Sequence, residues 1–205
     1  LYLYTYPDEE TGLGQGGSIV RATADFPDAE WRFEPEPVLT PGDTDDWDGF
    51  RVTAPSVVKR DDGYIMLYEG IADDFGDRFI GLATSDDGLT WEKHGEPVLT
   101  PELNWERDHT HQPRVVDTEN GLVMLYRTYL GRQTLISLGL ATSEDGITWE
   151  RLTVDAPLLT QGPATNRQPI WYTAIAYQDG LFAIPLELGA TRGGTHIHAA
   201  TFVLP

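Results

Sequence analysis

A chain of 205 residues with 40% apolar and 11% aromatic content can bury one large core or two small ones, and it holds no apolar run of about 18 residues that would span a membrane. The absence of cysteine excludes disulfides, thiolate metal sites and thiol redox chemistry. A net charge of −19, with twelve arginines but only Lys59 and Lys93, excludes nucleic acid, whose phosphates need a positive field.

The chain opens on Leu1 rather than Met, inside a run that reads as a strand and lacks the basic flank of a signal peptide. This predicts that an upstream segment has been removed or lies outside the sequence. Ala22-Thr23, Trp31 and Pro37-Val-Leu-Thr-Pro41 then begin a pattern that returns at Ala83-Thr84, Trp91 and Pro97-Val-Leu-Thr-Pro101, 60 residues on for the last two. From Trp47 the pattern is complete. Residues 47–101 align with 105–161 at an offset of 58, without a gap for most of their length. Pro55-Ser-Val-Val falls on Pro113-Arg-Val-Val, Met66-Leu-Tyr68 on Met124-Leu-Tyr126, and Gly81-Leu-Ala-Thr-Ser-Asp-Asp-Gly-Leu-Thr-Trp91 on Gly139-Leu-Ala-Thr-Ser-Glu-Asp-Gly-Ile-Thr-Trp149. Pro169, Asp179-Gly180 and Ala199-Ala-Thr-Phe202 give a looser third copy, with Pro169 set against Pro55 and Pro113.

Within a repeat, Ala54–Lys59, Tyr64–Glu69 and Phe79–Ser85 are short β-rich runs, and a fourth extends from Leu89 through Pro97-Val-Leu99. Asp62-Gly63, Asp87-Gly88, Asn120-Gly121, Asp145-Gly146 and Asp179-Gly180 supply the positive φ of tight hairpin turns. Four antiparallel strands per repeat without helical periodicity predict an all-β protein built from propeller blades. One domain, 1–205, then divides into a partial blade (1–46), two blades (47–104 and 105–162) and a second partial blade (163–205), about 3.5 repeats in all. Trp91 and Trp149, kept between copies, are expected to pack between sheets.

Ala83-Thr-Ser-Asp-Asp-Gly-Leu-Thr-Trp91, Pro97-Val-Leu99, the Trp47-Asp48 pair and the Pro55-Ser-Val-Val strand together resemble the five-bladed propeller superfamily of arabinanases, xylosidases, fructosidases and mannoside phosphorylases. The resemblance implies an active site at one end of the propeller axis, lined by the innermost strand of each blade, with acids just before a proline of that strand. Here those positions read Ala54, Gln112 and Gln168, none of them acidic. The resemblance requires no cofactor and admits a calcium ion at the axis. Since 3.5 repeats do not close a five-bladed ring, a missing segment or a partner chain is expected to complete it.

The leading functional reading is a glycoside hydrolase-like propeller acting on an oligo- or polysaccharide by carboxylate acid/base chemistry. The alternatives are a non-catalytic carbohydrate-binding propeller and a phosphate-dependent phosphorylase. The catalytic candidates are Asp108, Asp48 and Glu187. Arg51, His109, His111 and Arg167 occupy matched inner positions as cations for sugar hydroxyls, a carboxylated sugar or phosphate, with Glu69, Gln112, Arg127 and Gln168 as further polar contacts. Trp47, Trp105 and Trp171 are candidates for stacking on sugar faces; the first two share a repeat position, which favours scaffold. His109 with His111, and His196 with His198, have the spacing of a chelating pair, without a third ligand nearby in sequence. The acidity also suits a high-salt habitat, and a soluble protein of this kind belongs equally well in the cytoplasm or outside the cell.

Overall fold

The computed structural model describes residues 1–5, 17–73, 76–129, 136–162, 170–189 and 195–204. All the regular structure among them is β, so no described helix is long and apolar enough to cross a membrane. The chain gathers into two compact units, Leu1–Thr100 with His111–Pro113, and Pro101–Thr110 with Arg114–Pro205.

The first unit contains a three-stranded sheet, β1 (Tyr2–Thr5), β2 (Ser18–Thr23) and β3 (Arg32–Phe33), and a four-stranded one, β4 (Arg51–Arg60), β5 (Gly63–Ile71), β6 (Arg78–Ser85) and β7 (Glu92–Lys93). Strands pair in sequence order and antiparallel, as hairpins joined by Asp-Gly turns must. The central β5 is buried on both faces, which is why it reads as the continuous run Ile65-Met-Leu-Tyr68 rather than as an alternation. Ile19 of the first sheet and Leu39, which bridges to it, pack on Val52, Met66, Tyr68 and Ala83 of the second. Trp91 presents its edge to Tyr2 at 5.6 Å between ring centroids, so this indole does lie between sheets.

The second unit holds most of β8 (His111–Thr118), then β9 (Gly121–Tyr129), β10 (Ile136–Ser143), β11 (Glu150–Arg151) and β12 (Leu159–Thr160) in one sheet. Its other sheet is β13 (Ile170–Thr173) and β14 (Ala176–Gln178) on one side of β15 (Leu181–Gly189), with β16 (Thr195–Phe202) on the other. Leu125, Leu138 and Leu140 meet Ile170, Ile184 and Leu186 in the core between them. Asp179 and Gly180, with φ of 50° and 83°, make the turn into β15 that the Asp-Gly pair predicts.

The fourth run of each repeat is shorter than its sequence suggests. It makes a two-residue strand, β7 or β11, and then returns to the third strand only at the Pro-Val-Leu end, where Ile80 N donates to the Leu99 carbonyl at 3.1 Å. In the turn before it, Asp87 Oδ1 accepts from the amides of Leu89 and Thr90 at 2.8 and 2.9 Å, and Asp145 repeats the arrangement with Ile147 and Thr148. Gly81 and Gly139, on the third strands, seat the Tyr68 and Tyr126 rings; a Cβ on Gly139 would lie 2.3 Å from Tyr126 Cζ. Gly139→Ala is therefore expected to cost about 1–3 kcal/mol of stability, because the ring is packed and has nowhere to retreat. A urea midpoint equal to the parent's would contradict this.

Candidate functional site

Each complete blade buries a carboxylate just ahead of, or just before, its inner strand. In the first unit Asp48 Oδ2 accepts from Tyr68 OH at 2.9 Å and Lys93 Nζ at 2.7 Å. In the second, Glu106 Oε1 accepts from Tyr126 OH at 2.6 Å and Arg151 Nε at 2.7 Å, while Oε2 takes the amides of Glu102 and Leu103. The acid, the tyrosine and the cation all recur at the offset of 58. Trp47 and Trp105 cover the two tyrosines in near-parallel stacks, at 5.8 and 6.1 Å, and their indole N–H groups donate to the Gly95 and Val154 carbonyls. Asp48, Trp47 and Trp105, three of the residues singled out from sequence, thus fasten the segment before the inner strand to the second and fourth strands.

A third buried carboxylate has no acidic counterpart in the next blade, where Arg127 holds its position. Glu69, on β5, accepts from Arg78 at 2.7 Å through Oε1, while Oε2 lies 3.5 Å from His111 Nδ1 and 3.3 Å from the Gln112 amide. His111 and Gln112 open β8, so Glu69 grips the inner strand that follows its own blade. Ala54 and Gln112, each before a proline, share a left-handed φ of 50° and 48°, and in β4 the ladder slips between Thr53 and Ser56. The inner strand is therefore bulged where the resemblance implies catalytic acids, a place where bulges re-aim side chains.

The third copy needs a correction. Thr53 pairs with Glu69, six residues after Gly63, and Thr173 pairs with Leu186, six residues after Gly180. Ala174, not Gln168, therefore stands at the position of Ala54 and Gln112, and Pro169 is not the counterpart of Pro55. A proline shared by chance in a divergent copy drew the alignment off register. Arg167 and Gln168 lie outside the described residues.

In the second unit Arg127, on β9, is buried and donates to the Ile170 carbonyl at 2.9 Å and to that of Trp171, while Arg114 Nε donates to the Thr173 carbonyl at 3.1 Å. Arg127 thus grips the inner strand of the blade after its own by carbonyls, as Glu69 does through an amide.

The sequence of residues 71–174, just over half the chain, matches the family described as β-1,4-mannooligosaccharide phosphorylase. The chain belongs to this family. It is 26% identical over 141 residues to a β-1,2-mannobiose phosphorylase of Thermoanaerobacter sp. (strain X514), covering 62% of this chain and 47% of the relative. A 1,2-β-oligomannan phosphorylase of the same organism is 27% identical over 129 residues, covering 58% and 43%. The chain thus spans under half the length of these curated relatives. A family 117 glycoside hydrolase of the marine bacterium Zobellia galactanivorans superposes with a TM-score of 0.72 at 16% identity, over 90% of this chain and 52% of that one. Likeness at that identity shows the fold, which is that of the glycosidase propellers.

Within this family member the ionisation of the buried acids follows from their partners. For Glu69, burial pushes the carboxyl up, but His111 and then Arg78 outweigh it and hold it at about 2. For Glu106, burial again opposes charge, and Arg151, the Glu102 amide, Tyr126 and the Leu103 amide together bring the carboxyl below its ordinary range. The Tyr68 and Tyr126 hydroxyls are raised far above theirs, by burial first and then by the adjacent carboxylate.

The remaining candidates are placed separately. Asp108 is exposed in the turn before β8, between Arg107, which bridges to Tyr129 at the end of β9, and His109, whose ring lies 4.5 Å from the Tyr129 ring. His109 precedes the strand that His111 begins, so the two are not alternate residues of one strand. Arg51 opens β4 with its guanidinium 4.9 Å over the Phe50 ring. Glu187 is half-buried on β15 opposite Ile197, and His196 and His198 are exposed on β16. Among the described residues no three His, Asp or Glu side chains are grouped to hold a metal ion. Sequence reasoning missed Arg78, Lys93 and Arg151; for the last two the signal was present, since 93 and 151 are one repeat apart and so are the acids they bind.

Proposed function

We propose that this chain acts in the phosphorolysis of a β-mannosidic bond in an oligosaccharide. The observation that carries this reading is its membership, over residues 71–174, of the mannooligosaccharide phosphorylase family. Both curated relatives are named as phosphorylases, which favours phosphate over water as the acceptor. In such a reaction a phosphate oxygen attacks the anomeric carbon, the bond from that carbon to the bridging oxygen breaks, and a general acid delivers a proton to the departing oxygen. A general acid must hold its proton near neutral pH. Glu69 and Glu106 are held ionised and do not suit the role. Asp48, shared with Glu106 as part of the blade, is assigned to scaffold. Of the carboxylates nominated from the sequence, Asp108 and Glu187 remain as candidates for the acid, and Arg51 and His109 are cations suited to phosphate and sugar hydroxyls. His111 is engaged with Glu69, and the register of the third copy puts Thr173 rather than Arg167 at the matching position.

A second reading, a carbohydrate-binding propeller without catalysis, is favoured by Ala54, Gln112 and Ala174 at the positions where the resemblance implies acids. One experiment separates these. Incubation with β-1,2- and β-1,4-linked mannobiose, with and without inorganic phosphate, is expected to yield mannose 1-phosphate in the presence of phosphate alone. Free mannose formed equally without phosphate would make the protein a hydrolase, and binding without turnover would establish the second reading.

A further inference from the structure

The backbone of β13 departs from the repeat at Trp171. Between the pairs Ile170 with Leu188 and Thr173 with Leu186, the ladder advances three residues on β13 against two on β15. The corresponding stretch of β4, from Arg51 with Ile71 to Thr53 with Glu69, advances two against two. One extra residue has entered the inner strand at Trp171-Tyr172. An insertion of this kind breaks the ladder locally and turns side chains away from their regular direction.

The carbonyls beside the insertion are bonded by side chains. Arg127 forks onto those of Ile170 and Trp171, and Arg114 takes that of Thr173. Arg127 is only 5% exposed, and a guanidinium is costly to bury unless its donors are satisfied. In the preceding blade the same position is Glu69. The change of residue and the insertion are therefore physically joined by a hydrogen bond. Despite this bracing, Trp171 remains 45% exposed. A fixed backbone beneath an open aromatic ring has the properties of a binding plate, since the strand that carries the ring is set before its partner arrives.

We propose that Trp171 is a stacking platform for one pyranose ring of the oligosaccharide, with Arg127 as the residue that positions it. This deepens the phosphorylase reading and rests on it. A pyranose has an apolar face of C–H groups rimmed by hydroxyls, which matches an indole that is half in water.

The test is calorimetric titration with β-1,4-mannotriose and β-1,2-mannotriose, alongside phosphate-dependent turnover. Trp171→Ala is expected to weaken binding of the preferred trisaccharide about tenfold and Trp171→Phe about threefold, with melting temperatures near the parent's because the ring is half exposed. Arg127→Lys keeps the charge but not the fork, and should raise KM severalfold while leaving kcat near the parent value. An Arg127 that merely supported the fold would instead lower the melting temperature and the active fraction, and so kcat, without moving KM. Trp171→Ala binding as tightly as the parent would overturn the platform while leaving phosphorolysis intact. A parent that forms no mannose 1-phosphate but loses tenfold in affinity on Trp171→Ala would overturn phosphorolysis and keep the platform. A parent that binds neither trisaccharide would overturn both.

Discussion

Replacing Glu106 with alanine is expected to lower the unfolding free energy by about 3–5 kcal/mol, the scale of breaking a buried ion pair. The carboxylate is fully buried, and its loss takes the acceptor from Arg151 Nε, in a side chain only 9% exposed, leaving the guanidinium its contact with the exposed Glu102. It takes the acceptor also from the Tyr126 hydroxyl and the amides of Glu102 and Leu103. Asp48→Ala in the sister blade should cost less. Lys93 there keeps 23% of its side chain in water and can rehydrate its ammonium. Urea denaturation of the two variants gives the order directly. A Glu106→Ala protein within about 1 kcal/mol of the parent would show that the polar cluster is not a fastening.

Glu69→Gln is expected to destabilise the protein at neutral pH by about 3 kcal/mol, toward the lower end for a buried pair because Arg78 stays 26% exposed. The gap should depend on pH. In the fold the Glu69 carboxyl is held at about 2, below its ordinary 4.5, so between those values the unfolded chain binds the extra proton. The stability that Glu69 contributes is therefore fully present above 4.5 and is lost as the pH falls through about 2. The parent should lose stability across that window faster than Glu69→Gln does, and the two should converge in acid. Parallel profiles from neutral pH to pH 3 would mean that His111 and Arg78 do not hold the charge.

The blade was legible in the sequence because its turns are. Asp-Gly and Asn-Gly pairs recur where positive φ is required, and the runs between them become β4 to β6 and β8 to β10. The fourth run was overextended, because Gly95 and Pro97 interrupt it and a propensity reading does not see which of its residues find a partner. The third copy was misplaced by Pro169. Its true counterpart to Pro55 is Ile175, and a bulge, being a matter of tertiary pairing, leaves no local signature.

The site was legible only in part. Asp48 drew notice as a candidate catalytic acid beside Trp47, although Glu106 one repeat on is also an acid, and a feature kept in both copies belongs to the blade. The exchange of Asp for Glu and of Lys for Arg hid that correspondence. Glu69, Arg78 and His111 come from three strands, and the residues 58 further on are Arg127, Ile136 and Pro169, so no repeated spacing announces them. Trp171 was visible because it broke the pattern.

That exchange of side-chain lengths bears on how the chain finds its own partners. Strands β6 and β10 carry the same Gly-Leu-Ala-Thr-Ser sequence, so each short fourth strand meets two almost interchangeable docking edges while the protein is still assembling. Arg151 spans Glu106 and Glu102 at once, whereas Lys93 offers a single ammonium to Asp48. A lysine strand docked on the wrong edge would fall short of the two-carboxylate grip and lose little at Glu102, which is 67% exposed, while an arginine strand would overreach the shorter, buried aspartate. The two cation–carboxylate pairs are matched in length, each to its own blade, so correct delivery of each strand is expected to be more favourable than an exchange between neighbours.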